Sequence, residues 1–286
     1  MRQIILNADD FGRHALINDA VRRAAADGLL RSASLMAGEP AFAEAVAIAK
    51  ATPALGVGVH LTLIDGRPVL PPEEIPSLVD DAGRFRPDHT VFARDYLAGR
   101  VRRADIRREL AAQIAKVRAA GIVPDHVDSH QHLHVLPGIF PLVLDLAEAA
   151  GIRAVRIPKV CVGEGNGFLS GGLGDVIGRL GLYVLAGMAR REARRRGFAT
   201  PDFFAGLVAG AAVTSGYLAR LAAELAAGRD GTTEVMLHPG MESEMLASIT
   251  GWQHDFRAEY DALVAPETRR AFAAHAIETV NFQALG

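Results

Sequence analysis

The chain has 286 residues, a formal net charge of −2 and 50% hydrophobic residues, enough for one large domain with a full core. That near-neutral balance argues against a nucleic-acid partner, whose binding surface would lean basic. A single cysteine, Cys161, excludes an intrachain disulfide framework, suits a reducing compartment and reads as a small buried hydrophobe.

The opening "MRQIILNADD" is too short and too soon acidic for a secretory signal. "QIILNA" predicts a buried strand, and "NADDFG" then sets Asp9 beside Asp10 at its end. Two adjacent carboxylates at the desolvated end of a core strand need a metal ion, a proton or solvent to share their charge. "ALINDAVRRAAADG" follows with apolar residues at helical spacing and stops at Gly28. "SASLMAG" and "AFAEAVAIAKAT" form a second strand and helix, and "LGVGVHLTL" a third strand that leads into a proline-rich loop from about Asp65 to Asp88.

"RVRRADIRREL", residues 100–110, reads as a solvated helical face, and the helix "RADIRRELAAQIAKVRAAG" delivers "PDHVDSHQHLH". "GIFPLVLDLAEAAG" precedes the strand-like "RAVRIP". The glycine-dense "GEGNGFLSGGLG" lies within the least regular region, Cys161 to about Gly216, and reads as a mobile loop beside the site or a plain surface connection. "LGLYVLAGMA", residues 180–189, is too short to span a bilayer but runs into "RREARRRG". That pairing fits either an outer helix with a solvated basic end or a membrane-surface helix, with Leu180, Tyr183, Val184 and Met188 below the arginines. "TTEVMLHPG" and the closing "IETVNF" supply the last strands.

Strand-then-helix order repeated about seven times predicts a parallel sheet and suits a β/α barrel in a single domain, residues 1–286, better than an open sheet. Polar residues collect at the C-terminal ends of its strands: Asp9 and Asp10, His60, then Asp128, His130, His132 and His134, then His238. That rim is where catalytic groups gather in such barrels. Asp with imidazoles is a mixed oxygen and nitrogen ligand set for a divalent cation such as zinc, with magnesium, manganese, iron and cobalt also compatible. One carboxylate of the pair then goes to the cation and its neighbour takes a proton from the attacking water. In an extended chain residues 130, 132 and 134 share one face, and one or two of them are expected to be ligands. Each piece has a plainer reading too: a turn or helix cap for the Asp pair, a satisfied core histidine for His60, a tight turn for His238.

"NADDFG", "GVHLTL", "DSHQHLH", "HPG" and the closing "RAEYDALVAPETRRAFAAHAIETVNF" together resemble the YdjC-like carbohydrate deacetylases, which include chitooligosaccharide deacetylase. The resemblance runs from Arg2 to about Phe282. It implies a distorted parallel β/α barrel that uses a divalent metal, zinc or magnesium, to remove acetyl from N-acetylated sugars. Carried over by position, it makes Asp10, His60 and His130 the metal ligands, Asp9 the general base, and His238 the acid or part of the pocket wall. The stretch "GLGDVIGRLGLYVLAGMARREARRRGFATPDFFAG" departs from the sugar-only members and resembles the hopanoid biosynthesis-associated branch, implying an N-acetylglucosamine head on a hopanoid lipid. The expected partner is therefore an N-acetylated amino sugar or glycolipid, with a cytoplasmic location, peripheral contact at the inner membrane face, and a homodimer left open. A phosphoesterase on a related barrel would open with His-x-His where this chain has Asp-Asp. A non-catalytic lipid-binding module would show a substituted ligand position.

Overall fold

The computed structural model describes residues 2–160, 172–209, 211–228 and 230–286. Cys161 and most of the glycine-dense stretch lie outside the described residues. Seven parallel strands form one sheet: β1 (Arg2–Phe11), β2 (Ser32–Leu35), β3 (Gly56–Leu61), β4 (Val127–Ser129), β5 (Phe203–Ala205), β6 (Gly231–Leu237) and β7 (Ile277–Thr279). Their order is β4-β3-β2-β1-β6-β5. β1 is central because it is the longest apolar strand, with Ile4, Ile5 and Leu6 fully buried. β6 pairs with it from Arg2 to Ala8; β7 pairs with residues 2–4 and β2 with residues beyond Asn7.

The sheet curls until a strip at Ala154–Val160 touches both of its edges. Val155 bridges Val127 of β4, Ala154 bridges Ala199, and Val160 bridges Phe204 of β5. "RAVRIP" is thus a string of single bridges rather than a full strand, and Pro158 within it lacks the N–H that a longer ladder would need. The result is the distorted parallel β/α barrel expected from the strand–helix order. The span from 161 to 216, besides its helix, supplies β5, an element too short to show a period in the sequence.

Helices α1 (Ala15–Asp27), α2 (Phe42–Ala51), α3 (His89–Leu97), α4 (Arg103–Ala119), α5 (Phe140–Ala149), α6 (Leu173–Arg195), α7 (Ser215–Ala226), α8 (Ser243–Thr250), α9 (Phe256–Val264) and α10 (Pro266–Ala274) accompany the sheet. α1 stops at Gly28 as its periodicity predicts, the Gly28 N–H closing on the Ala24 carbonyl.

Residues 100–110 correct the reading of a wholly solvated face. Asp105 and Glu109 on α4 are buried. Glu109 accepts the N–H groups of Val69 and Leu70, and Asp105 accepts the N–H and the hydroxyl of Ser77. The two carboxylates therefore tie the proline-rich loop to the barrel, while the arginines and Ala104 face water. A sequence window cannot show this, because the donors lie roughly thirty to forty residues away.

Candidate active site

Along a regular strand Asp9 and Asp10 would point to opposite faces of the sheet. They do not, because β1 bulges between Ala8 and Phe11 and Asp10 takes a left-handed backbone with φ of 60°. The bulge turns the second carboxylate back to the mouth of the barrel. There Asp10 Oδ1 lies 3.4 Å from His60 Nε2 and 3.0 Å from His130 Nδ1. All three residues are buried.

Each ring is aimed from behind. Asp128 Oδ1 sits 2.8 Å from His60 Nδ1, which leaves Nε2 directed at Asp10. His130 stacks on Trp252, with ring centroids 5.3 Å apart. Arg13 donates to Asp10 Oδ2 at 3.1 Å and to Asp65 Oδ2 at 2.9 Å, and its guanidinium lies over Trp252.

This cluster fits a divalent cation. Asp10 Oδ1 and His60 Nε2 are buried polar atoms without a hydrogen-bond partner, which is costly unless something binds them. Ligand atoms about 2.1 Å from one ion sit about 3.0–3.4 Å from each other in octahedral or tetrahedral arrangements, and the two spacings from Asp10 match. The donor set, one carboxylate and two imidazoles, takes zinc or magnesium without further selection. The electrostatics agree. Burial opposes charge on Asp10, yet His130 and Arg13 hold its carboxyl well below the usual range. Burial likewise opposes charge on His60, but Asp128 and Asp9 push that ring up to about 10. The pocket is built for positive charge.

Asp9 is held differently. Arg156 donates to both of its oxygens at 2.6 Å, and Asn7 donates to Oδ1 at 2.8 Å. Arg156 is fully buried and also pairs with Asp128 at 2.8 Å and Glu234 at 2.6 Å. Burial outweighs that arginine at Glu234 and pushes its carboxyl up to about 7. Arg156 is the functional residue that sequence reasoning missed. Its one signal was an arginine inside an apolar strand-like run, which is unaffordable unless it is paired.

The run "HQHLH" is not extended. His130–Val135 forms a tight 3₁₀ turn broken by left-handed residues Gln131 and His132, with φ of 50° and 58°. The three histidines therefore part company, which corrects the shared-face reading. His130 alone joins Asp10 and His60. His134 is buried between the Ser129 hydroxyl at 2.7 Å and the Arg156 carbonyl at 3.0 Å, and burial pushes it down to about 4. His132 is buried with its edge against Phe204, and burial with nearby Arg156 holds it well below its ordinary value.

His238 follows directly on β6, half-buried, its ring edge-on to Trp252 and to His254 with centroids 5.4 Å away in each case. Burial lowers its pKa, which favours the neutral ring in the resting site. A cavity of about 800 Å³ opens beside Asp9, His130, His238 and Trp252. It runs on between Leu133, Leu136 and the inner face of α6, where Gly178, Gly181, Leu182 and Leu185 line it.

Residues 3–274 match the family model described as YdjC-like protein. The chain belongs to the YdjC-like family. A carbohydrate deacetylase of Listeria monocytogenes serotype 4a is 31% identical over 283 residues, 99% of this chain and all of that one. Carbohydrate deacetylases of Brevibacillus brevis and Geobacillus stearothermophilus are 43% and 42% identical over 156 and 162 residues, and the match spans only 59% and 62% of their lengths. Among solved structures, a protein of Enterococcus faecalis described as a candidate for cellobiose-phosphate cleavage superposes with a TM-score of 0.76 at 26% identity, covering 100% of this chain and 99% of that one. That likeness extends over the whole barrel.

Proposed function

We propose that the protein is a metal-dependent deacetylase that hydrolyses the acetamide of an N-acetylated amino sugar. The observation that carries this reading is the pair of unpartnered buried atoms, Asp10 Oδ1 and His60 Nε2, converging with His130 beside a second carboxylate. The names of the full-length relatives support the substrate class.

Asp10, His60 and His130 would hold the cation, zinc or magnesium. Bound there, it supplies Lewis-acid polarisation of the acetamide carbonyl and of a water. Asp9 takes the proton as that water attacks the carbonyl carbon, and Arg156 keeps both carboxylate oxygens oriented for the task. His238 donates a proton to the nitrogen as the C–N bond breaks, so acetate and a free amine leave. Burial favours the neutral ring at rest, so the proton that His238 delivers is the one Asp9 took from the water, passed on within the turnover.

The finer substrate we propose is a lipid-borne one, an N-acetylglucosamine head on a hopanoid. Two features support it. The cavity continues from the polar mouth into an arm lined by Leu133, Leu136, Leu182, Leu185 and Leu207. On the outer side of α6, Leu173, Ile177, Leu180, Val184 and Met188 form an exposed apolar line at helical spacing, with Arg191 and Arg195 continuing it. No helix among the described residues is long and apolar enough to cross a membrane; the contact proposed is peripheral, through this face of α6.

The experiment is metal analysis of the purified protein beside acetate release from N-acetylglucosamine oligomers and from an N-acetylglucosaminyl lipid, with a sugar phosphate as a parallel substrate. Acetate release that is lost with chelator and restored by zinc or magnesium is expected. Metal-replete protein that frees phosphate and never acetate would overturn the reading.

A further inference from the structure

His238, His254 and Glu259 form a second cluster, with Glu259 buried and the two histidines half-buried. Glu259 sits on the inner face of α9 and is 2% exposed. Its Oε1 accepts the Val213 N–H at 2.8 Å, and its Oε2 accepts the His238 N–H in a very short contact. His254 Nε2 faces Oε1 at 3.3 Å, is buried and has no hydrogen-bond partner. Both carboxylate oxygens are thus already committed to backbone donors, which disfavours a second cation here and favours a bracket.

The chain beyond His238 is fixed to the same helix. The Gly240 N–H bonds the Phe256 carbonyl at 2.9 Å, and a Cβ at Gly240 would lie 2.2 Å from Leu246 Cδ1 and 3.0 Å from Phe256 Cβ. A side chain there would have to displace Leu246 and press on Phe256, so the His238–Gly240 segment packs closely against α8 and α9. A buried carboxylate is expensive unless fully hydrogen-bonded, and this one spends its acceptors on the backbone of one active-site residue and on the loop before α7. The His254 ring, edge-on to His238, fills the remaining side.

We infer that Glu259 is a positioning residue for proton delivery: by gripping the His238 backbone, with His254 packed between, it sets the imidazole against the leaving nitrogen. This rests on the role proposed above for His238. A substituent on Glu259 then matters for substrates that need a protonated leaving group and not for those that leave unaided.

The test compares wild type, Glu259→Gln, His254→Gln, His238→Ala and the Glu259→Gln/His238→Ala pair on two substrates, an N-acetylglucosamine oligomer and 4-nitrophenyl acetate. The amide requires a proton on nitrogen; the nitrophenolate does not. Glu259→Gln should lower kcat on the amide about tenfold or more, within the range of general acid catalysis, with KM and ester turnover nearly unchanged. His254→Gln should show the same selective loss to a smaller degree. Little additional loss in the double variant would place Glu259 and His238 in one unit. Equal losses on both substrates, or additive losses, would mean that Glu259 merely supports the fold, and unchanged amide turnover would also sink the inference. Bound metal and melting temperature of each variant separate misfolding from mispositioning. If wild type itself releases no acetate from any amide, it is the proposed function that fails, and the inference, which rests on it, falls with it.

Discussion

Asp9 and Arg156 are 147 residues apart in the chain, yet they meet fork to fork through two contacts of 2.6 Å, both residues buried. A bidentate pair of this kind fixes direction as well as charge. Arg156 holds three carboxylates at once, those of Asp9, Asp128 and Glu234. It is the common counter-charge under the site.

Removing that counter-charge should therefore do more than weaken catalysis. Arg156→Met leaves buried carboxylates unpaired and is expected to cost about 3–5 kcal/mol of stability, read by denaturant unfolding. Asp9→Asn, in contrast, keeps the shape and one acceptor. It should retain metal and fold while turnover falls at least about a hundredfold. Undiminished acetate release by Asp9→Asn would remove Asp9 from the role of base.

Asp128 touches no proposed substrate position but aims His60. Asp128→Asn should lower metal affinity about 10–100-fold, the usual effect of losing such a partner, as measured by titration with a competing chelator. His60→Ala and His130→Ala should abolish binding. Unaltered affinity in Asp128→Asn would show that His60 needs no orienting partner.

The His60 ring carries a raised pKa of about 10 in the metal-free fold, against 6.5 ordinarily, because Asp128 and Asp9 overcome the effect of burial. A raised folded pKa gives stability that is complete below pH 6.5 and is lost as pH rises through 10. Chelator-treated protein should accordingly melt roughly 5–10 °C lower at pH 10 than at pH 6.5. In metal-loaded protein the cation takes the place of the proton, and the dependence over that window should flatten. Parallel melting curves with and without chelator would refute this.

The exposed line on α6 makes a separate prediction. Val184→Asp with Met188→Asp places two charges on a face whose natural residues are 59% and 56% exposed, so folding should change little. Co-sedimentation with anionic phospholipid vesicles should fall several-fold, since apolar insertion and arginine attraction act together. Wild type that stays in the supernatant with every vesicle composition would dispose of the membrane contact.

What the sequence disclosed and what it hid follow from distance along the chain. β1, β6 and α1 were legible because apolar periodicity is a local property. Polar residues at strand ends were legible as a group, because a parallel barrel brings all such ends to one mouth, but only the resemblance singled out Asp10, His60 and His130 among them. The turn that parts His130 from His132 and His134 was not legible, since two consecutive left-handed residues that are not glycine have no compositional signature. Arg156 went unnoticed in "RAVRIP" because its partners lie on three other elements. Asp105 and Glu109 looked solvated because their donors belong to a distant loop read only as proline-rich. In each case the hidden term was a charge whose partner arrives only through folding.

The barrel's last gap, at Ala154–Val160, is closed by isolated bridges where every other junction is a ladder. Such a zip has few teeth, and what clasps it is the guanidinium of Arg156 reaching inward. Loosening that clasp would let the wall part beside Asp9, so the joint that completes the cylinder and the group that serves the chemistry stand or fall together.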